Sequence, residues 1–262
     1  MTRQRLDQLL VERGLASSRS AAAALVLAGS VEMAGAGSGT LKPGQRVAAD
    51  AELSVRPGAR WASRAATKLE AAMDAFAVDP AGLACLDAGA STGGFTDLLL
   101  ERGARIVYAV DVGRGQLLDR LGRDPRVVSM ERTNLRELHT LPEPIDLATL
   151  DLSFISLRLV LPAVRRLLTV AGRVIALVKP QFEAGREAVP RGGVVRDPAV
   201  HRQVLLRFGV DAAAGGFSPI DLIRSPISGA DGNLEFLALL APMGGGEAAW
   251  GDLVARLMTS PR

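Results

Sequence analysis

An apolar run, residues 83–86, ends on the carboxylate of Asp87 and passes into Ala88-Gly89-Ala90-Ser91-Thr92-Gly93-Gly94-Phe95, after which residues 94–101 repeat with a helical period. Strand, small-residue turn and helix in that order are the opening of a βαβ unit. Glycines in such a turn let a ligand lie against the backbone, and the helix start offers free N–H donors. The spacing is Asp-x-Gly-x-x-x-Gly, not the Gly-x-Gly-x-x-Gly that seats a pyrophosphate on a helix N-terminus. A second carboxylate, Asp111, closes the next strand-like run, 105–111, where it can take ribose hydroxyls. A nucleotide-like cofactor without a pyrophosphate fits this pair of features better than a dinucleotide, so S-adenosylmethionine is expected in preference to NAD.

The alternation continues on both sides. Helices are expected at 65–76, 94–101, 157–168 and 201–214, and strands at 83–87, 105–111, 127–130, 146–151 and 172–179. Two last β segments, 220–225 and 234–240, flank the turn Gly229-Ala230-Asp231-Gly232-Asn233, where turn chemistry alone accounts for Asp231 and Asn233. The pattern predicts an α/β fold, a doubly wound and mostly parallel sheet with one antiparallel edge strand formed by the end of the chain. Ahead of it, Leu6, Leu9 and Leu10 share a helical face that Gly14 ends. Ser17 or Ser18 caps a second helix over 21–27, stopped at Ala28-Gly29, and short strands at 31–33 and 45–47 surround a 35–39 loop. The expected divisions are a small α+β module at 1–58, a linker at 59–64, the α/β domain at 65–242 and a tail at 243–262. Trp61, between Arg60 and Arg64, reads better as a peg docking the linker than as a base-stacking ring.

At 262 residues and 48% apolar content the chain is long enough for one α/β domain with a small companion, and too apolar to be disordered. No run reaches membrane-spanning length and the N-terminus lacks a signal-peptide core, so a cytoplasmic setting is expected. Cys85, the single cysteine, falls inside a strand, and His139 and His201 stand apart, so neither a metal centre nor a cysteine nucleophile is expected. Charge is uneven. Residues 1–68 hold ten Lys or Arg against five acids, a balance of +5, leaving −2 for the remainder of a chain whose net charge is +3. A basic arm ahead of a near-neutral domain suits a polyanionic partner, although a solvated arginine-rich surface reads the same way.

Only three of the 31 basic residues are lysines: Lys42, Lys68 and Lys179. Arginine is effectively never deprotonated, so a chain that prefers it so strongly keeps lysine where an amine matters. Lys42 lies in a bland turn. Lys179 ends a strand, Asp151 ends another, Glu235 begins the last, and Lys68 is on the helix before the first. Ligands of open parallel sheets gather at the carboxyl ends of strands, and charges there are costly unless paired. These four residues form the candidate catalytic set, with an ordinary structural ion-pair set as the bland alternative.

The pattern Arg5-Leu6-Asp7, Leu15-Ala16-Ser17-Ser18-Arg19 and Leu27-Ala28-Gly29-Ser30-Val31 resembles the S4 RNA-binding module, apart from its long Ala-Gly loop. The order Lys68, Asp151, Lys179, Glu235 resembles the FtsJ-like ribose 2′-O-methyltransferases. Joined, the two look like the TlyA (hemolysin A-like) family of ribosomal RNA methyltransferases, carried also by Asp151-Leu-Ser-Phe-Ile-Ser156, Lys179-Pro-Gln-Phe-Glu-Ala-Gly-Arg186 and Gly192-Gly-Val-Val-Arg-Asp-Pro198. The resemblance implies a Rossmann-like class I methyltransferase sheet and S-adenosylmethionine as cofactor. It also implies ribosomal RNA or ribosomal subunits as partner, with cytidine the target. Asp87, Gly89, Ala90, Ser91, Gly93, Gly94, Phe95, Asp111, Asn134, Asp151 and Phe154 would hold the cofactor, Asn134 at the adenine edge. Phe154 would pack on the cofactor or be an ordinary core aromatic. Arg3, Arg5, Arg13, Arg19, Arg60 and Arg64 would meet RNA. Lys179 would accept or steer the ribose proton while Lys68, Asp151 and Glu235 tune it. An RNA-binding protein with an inactive methyltransferase fold, a dinucleotide oxidoreductase and a membrane-active hemolysin are the alternatives; the intact four-residue set, the missing pyrophosphate signature and the lack of a membrane segment weigh against them in turn.

Overall fold

The computed structural model describes residues 3–16, 18–27, 29–34, 41–55, 60–229, 232–243 and 249–259. Ser17, Ala28, the 35–39 loop, the Arg56-Pro57-Gly58-Ala59 part of the linker, and Ala230 and Asp231 of the last turn lie outside the described residues.

The first module comprises β1 (Arg3–Arg5), α1 (Leu6–Glu12), α2 (Arg19–Leu27), β2 (Val31–Met33), β3 (Arg46–Ala48) and β4 (Leu53–Val55). Ser18 Oγ accepts from Ala21 N at 3.1 Å, the cap expected for α2. Leu6, Leu9 and Leu10 meet Ala22, Val26, Val31 and Val47 in a separate small core. The sequence pattern missed β1 and β4, each a three-residue strand that exists only because it pairs antiparallel, β1 with β3 and β4 with β2. Such strands are too short to show an alternating pattern.

The second unit runs α3 (Ala65–Phe76), β5 (Ala84–Ala88), α4 (Gly94–Glu101), β6 (Ile106–Val110), α5 (Asp119–Gly122), β7 (Val127–Met130), β8 (Ile145–Leu150), α6 (Leu161–Leu167), β9 (Leu168–Val178), α7 (Pro180–Glu183), α8 (Pro198–Ala214), β10 (Phe217–Arg224), β11 (Phe236–Pro242) and α9 (Trp250–Thr259). The expected helix at 157–168 divides into a 3₁₀ turn, Leu157–Leu159, and α6, with Pro162 near its start. The β-prone Leu168-Thr169-Val170 then starts β9 earlier than expected.

Seven strands form one sheet in the order β10-β11-β9-β8-β5-β6-β7. The β5–β6, β5–β8, β6–β7 and β8–β9 pairings are parallel, and β11 is antiparallel to both its neighbours. The last strand is therefore the antiparallel one, as expected, but it is not at the edge: it inserts between β9 and β10. This placement positions the site. Phe236 pairs with Val178, so the start of β11 lies beside the end of β9, and Glu235 joins the same sheet edge as Lys179. Strand order reverses between β5 and β8, the switch point where open α/β sheets take ligands.

The tail matched no expectation, yet α9 docks on α8. Trp250 Nε1 donates to Leu205 O at 2.8 Å, and Val254 is fully buried. A Cβ on Gly209 would come within 2.3 Å of the Trp250 ring. Gly209→Ala gains about 1 kcal/mol of helix propensity but forces a rigid indole aside at a cost of about 1–3 kcal/mol. Urea unfolding is expected to show a net loss of stability, and a stabilised variant would mean that Trp250 does not hold α9.

Candidate active site

At the switch point, Asp151 N donates to Ala88 O at 3.0 Å, and a Cβ on Gly89 would lie 2.4 Å from Asp151 O. With φ of +86°, Gly89 is fixed as glycine twice, by conformation and by close approach. Ser91 adopts φ of +48°, and its N–H donates to Asp111 Oδ2 at 2.8 Å while Gly113 N donates to Oδ1 at 2.7 Å. The glycine turn and the acid ending the next strand thus form one unit. Gly93 seats Leu117 and Leu121, which would clash with a Cβ, and Gly94 seats Ser63.

Two residues expected at the cofactor have partners within the protein. Phe95 is buried in the core cluster with Leu69, Met73 and Leu99. Asn134 caps the 3₁₀ turn Leu135–Glu137: Oδ1 accepts from Arg136 N at 3.2 Å and Nδ2 donates to Glu137 Oε1 at 2.7 Å. Phe154, expected on the cofactor or in the core, is 91% exposed with φ of +63°, and its ring meets Phe182 at 5.1 Å between centroids.

The four charged residues form two ion pairs. Lys68 Nζ binds Glu235 Oε2 at 2.5 Å, and Lys179 Nζ binds Asp151 Oδ1 at 2.6 Å. Lys68, Lys179 and Glu235 are buried. Lys179 Nζ also donates to Ser153 Oγ at 3.0 Å and lies 5.8 Å from the Phe182 ring centroid. Glu235 owes its place to Gly229, whose Cβ would come within 2.3 Å of Oε1.

An FtsJ-like methyltransferase family model matches residues 61–241, and an S4 domain model matches residues 4–33. The chain belongs to the FtsJ-like methyltransferase family. It is 46% identical over 244 residues to the 16S/23S rRNA (cytidine-2′-O)-methyltransferase TlyA of Mycobacterium tuberculosis, covering 91% of this chain and 90% of that one. Hemolysin A of Brachyspira hyodysenteriae is 37% identical over 240 residues, covering 89% and 98%. A solved Streptococcus thermophilus chain bearing the hemolysin name aligns with a TM-score of 0.73 at 41% identity, over 98% of this chain and 96% of that one.

The FtsJ-like domain also holds the segment ahead of it. Trp61 Nε1 donates to Glu101 Oε2 at 2.8 Å, Arg60 pairs with Glu101 and Glu70, and Ala62 N donates to Asp97 Oδ2 at 2.7 Å. Trp61 is the docking peg that the sequence suggested, and Arg60 is engaged with it. In the S4 module, Arg5 pairs with Asp7 at 2.7 Å and Arg19 approaches the same carboxylate at 3.4 Å. Arg3 donates to Arg46 O, and Arg13 to Ala49 O and Ala51 O. Arg64 is exposed. Most of the expected RNA-facing arginines thus carry a structural partner as well.

Sequence reasoning missed Ser153, Phe182 and Glu183, though all lie in the motifs that carried the family resemblance. It also assigned Asn233 to turn chemistry alone. Asn233 is 2% exposed and clamps a distant loop, its Oδ1 accepting from Val195 N at 2.9 Å and its Nδ2 donating to Gly193 O at 3.0 Å. Cys85 is buried, its thiol pushed up to about 12 by burial, which fits a small core residue. Among the described residues no cluster of three His, Cys, Asp or Glu could hold a metal ion, and no helix is long and apolar enough to cross a membrane.

Asp87 is fully buried. Its Oδ2 accepts from Thr96 N at 2.8 Å and Thr96 Oγ1 at 2.6 Å, while Oδ1 has no partner. Burial pushes this carboxyl up to about 7, against the pull of the Thr96 hydroxyl, with Asp151 and Asp111 adding to the rise. The folded state therefore holds the proton more tightly than the unfolded chain. The resulting stability is full below about pH 4 and is lost as pH rises towards about 7. In urea unfolding without added cofactor, Asp87→Asn is expected to remove a few kcal/mol of this decline between about pH 4 and pH 7. An unchanged pH profile would assign the titration elsewhere.

Proposed function

We propose that the chain is an S-adenosylmethionine-dependent ribose 2′-O-methyltransferase acting on ribosomal RNA, with cytidine as the target nucleoside. The observation that carries this reading is the placement of two Lys–carboxylate pairs, Lys179–Asp151 and Lys68–Glu235, at one sheet edge, with Asp151 against Gly89. The names of the relatives supply the RNA and the nucleoside, and the S4 domain match supports an RNA partner.

The turn suits the cofactor on its own chemistry. Gly89 leaves the space a Cβ would fill, Asp111 is half-buried and faces the turn, and Asp87 Oδ1 is a buried oxygen without a partner. Gly89, Ala90, Ser91, Gly93 and Asp111 would hold S-adenosylmethionine, which when bound supplies an electrophilic methyl group.

A ribose hydroxyl is a poor nucleophile and must lose its proton as it attacks. Lys179 Nζ, held by Asp151 Oδ1 and Ser153 Oγ, has the reach of a short hydrogen bond to such a hydroxyl. Asp151 orients the amine, so Lys179 and Asp151 act on the hydroxyl as a hydrogen-bonded pair. Lys68 and Glu235 brace the neighbouring strand end. Phe154 offers an exposed ring against Phe182 on which a base can stack.

Lys179→Arg keeps the charge and removes the titratable amine. Single-turnover methyl transfer to ribosomal RNA is expected to fall by roughly 10²-fold or more. Cofactor and RNA binding should stay near wild type, because only a transition-state interaction is lost. Lys42→Arg, in an exposed turn, serves as control and should do almost nothing. Near-normal turnover in Lys179→Arg would reduce Lys179 to a fixed positive charge.

A further inference from the structure

The segment from Asp151 to Leu157 carries an ion-pair partner at one end and the exposed aromatic at its apex. Its upstream end is fixed by the Asp151 N to Ala88 O bond. At the apex Phe154 sits in the left-handed region, which a bulky residue occupies only where its surroundings over-determine it. The downstream end enters the 3₁₀ turn Leu157–Leu159 at Ser156, a residue type well suited to cap a helix start, yet Ser156 makes no cap of its own. The cap comes from another element. Glu183, the last residue of α7, accepts from Leu157 N through Oε1 at 2.8 Å and from Ser156 Oγ through Oε2 at 2.6 Å. Burial pushes its carboxyl up, and these two donors pull it back.

The same short helix gathers the rest. Lys179 immediately precedes α7, and its carbonyl accepts from Phe182 N at 2.9 Å and Glu183 N at 3.2 Å. Phe182 contributes the ring that meets Phe154. One turn of chain therefore presents Lys179 at its head, a stacking ring in its middle and the clamp on the opposite loop at its end.

We infer that Glu183 is a positioning residue for methyl transfer: its carboxylate locks the 151–157 loop against α7 and so fixes Asp151 and Phe154 relative to Lys179. The inference rests on the methyltransferase reading of the site. A carboxylate suits the role because both donors point at it, whereas an amide keeps the Leu157 N–H bond through its oxygen and must offer an N–H to Ser156 Oγ.

The test compares Glu183→Ala, Glu183→Gln, Ser156→Ala and the Glu183→Ala/Ser156→Ala pair in the full chain. Misplacement of a reacting group by a small distance costs heavily, so Glu183→Ala is expected to lower the single-turnover rate on ribosomal RNA at least roughly 10-fold with cofactor affinity near wild type. Glu183→Gln should recover most of that rate, and the double variant should be no slower than Glu183→Ala, since both changes break one network. Hydrogen exchange should rise in residues 152–158 and not in the glycine turn. Wild-type rate in Glu183→Ala, or a loss that Gln does not recover and that comes with lost cofactor binding, overturns the inference. Should Glu183→Ala fail to fold, Ser156→Ala carries the test, expected to raise exchange over the same residues with a smaller rate loss; unchanged exchange overturns it. Exchange is read without turnover, so wild-type protein that binds cofactor but leaves ribosomal RNA unmethylated would refute the functional reading separately.

Discussion

The ion pair between Lys68 and Glu235 joins residues 167 positions apart and buries both charges, with side-chain exposures of 9% and 3%. Removing either partner would strand the other in a low-dielectric setting, at a cost of about 3–5 kcal/mol. The pair ties α3, which precedes the sheet, to β11, its last strand. It can form only because β11 enters the sheet antiparallel beside β9, which brings a strand start to the edge where the parallel strands end. Gly229 completes the arrangement by leaving room for Glu235 Oε1. The rest of the edge follows: Lys179 stands one residue past the partner of Phe236, and Asp151 one residue past the end of β8.

A second set of contacts joins the glycine turn to the chain ahead of the domain. Asp97, on the helix that follows the turn, accepts from Ala62 N and is also held by Arg120. Leu118 N donates to Thr92 O at 3.3 Å, and Gly115, between Asp111 and α5, lies against Ser20 of α2. The glycine turn is thus supported by the segment that connects the two units and touched through its neighbouring loop by the S4 module. On the reading proposed above, RNA held by that module would lie close to these loops.

Much of this was legible in the sequence, for identifiable reasons. The helices 65–76 and 94–101 are framed by strong apolar periodicity, and the structure places them at those residues. The carboxylates and lysines at strand ends stood out because charge beside an apolar run demands a partner, and the pairs are present. What sequence could not give was sheet order, since an antiparallel strand reads alike at an edge and inside. The protein contacts of Asn134 and Phe95 were not legible for a related reason. A polar residue after a strand serves a cap as readily as a ligand, and an aromatic at a helix start points to the core or to the turn according to packing alone. Glu183 and Asn233 were invisible because each works across a long stretch of sequence, capping or clamping loops that carry no local signal of needing it.

Methylation of ribose 2′-hydroxyls of ribosomal RNA at this edge is tested by mapping 2′-O-methyl groups on ribosomal RNA. The RNA would come from cells with the protein, without it, and with a Glu235→Gln variant that binds cofactor normally. One or a few cytidine 2′-O-methyl groups are expected only with the intact protein. Identical methylation maps in all three, with the variant and the wild type equally folded, would contradict it.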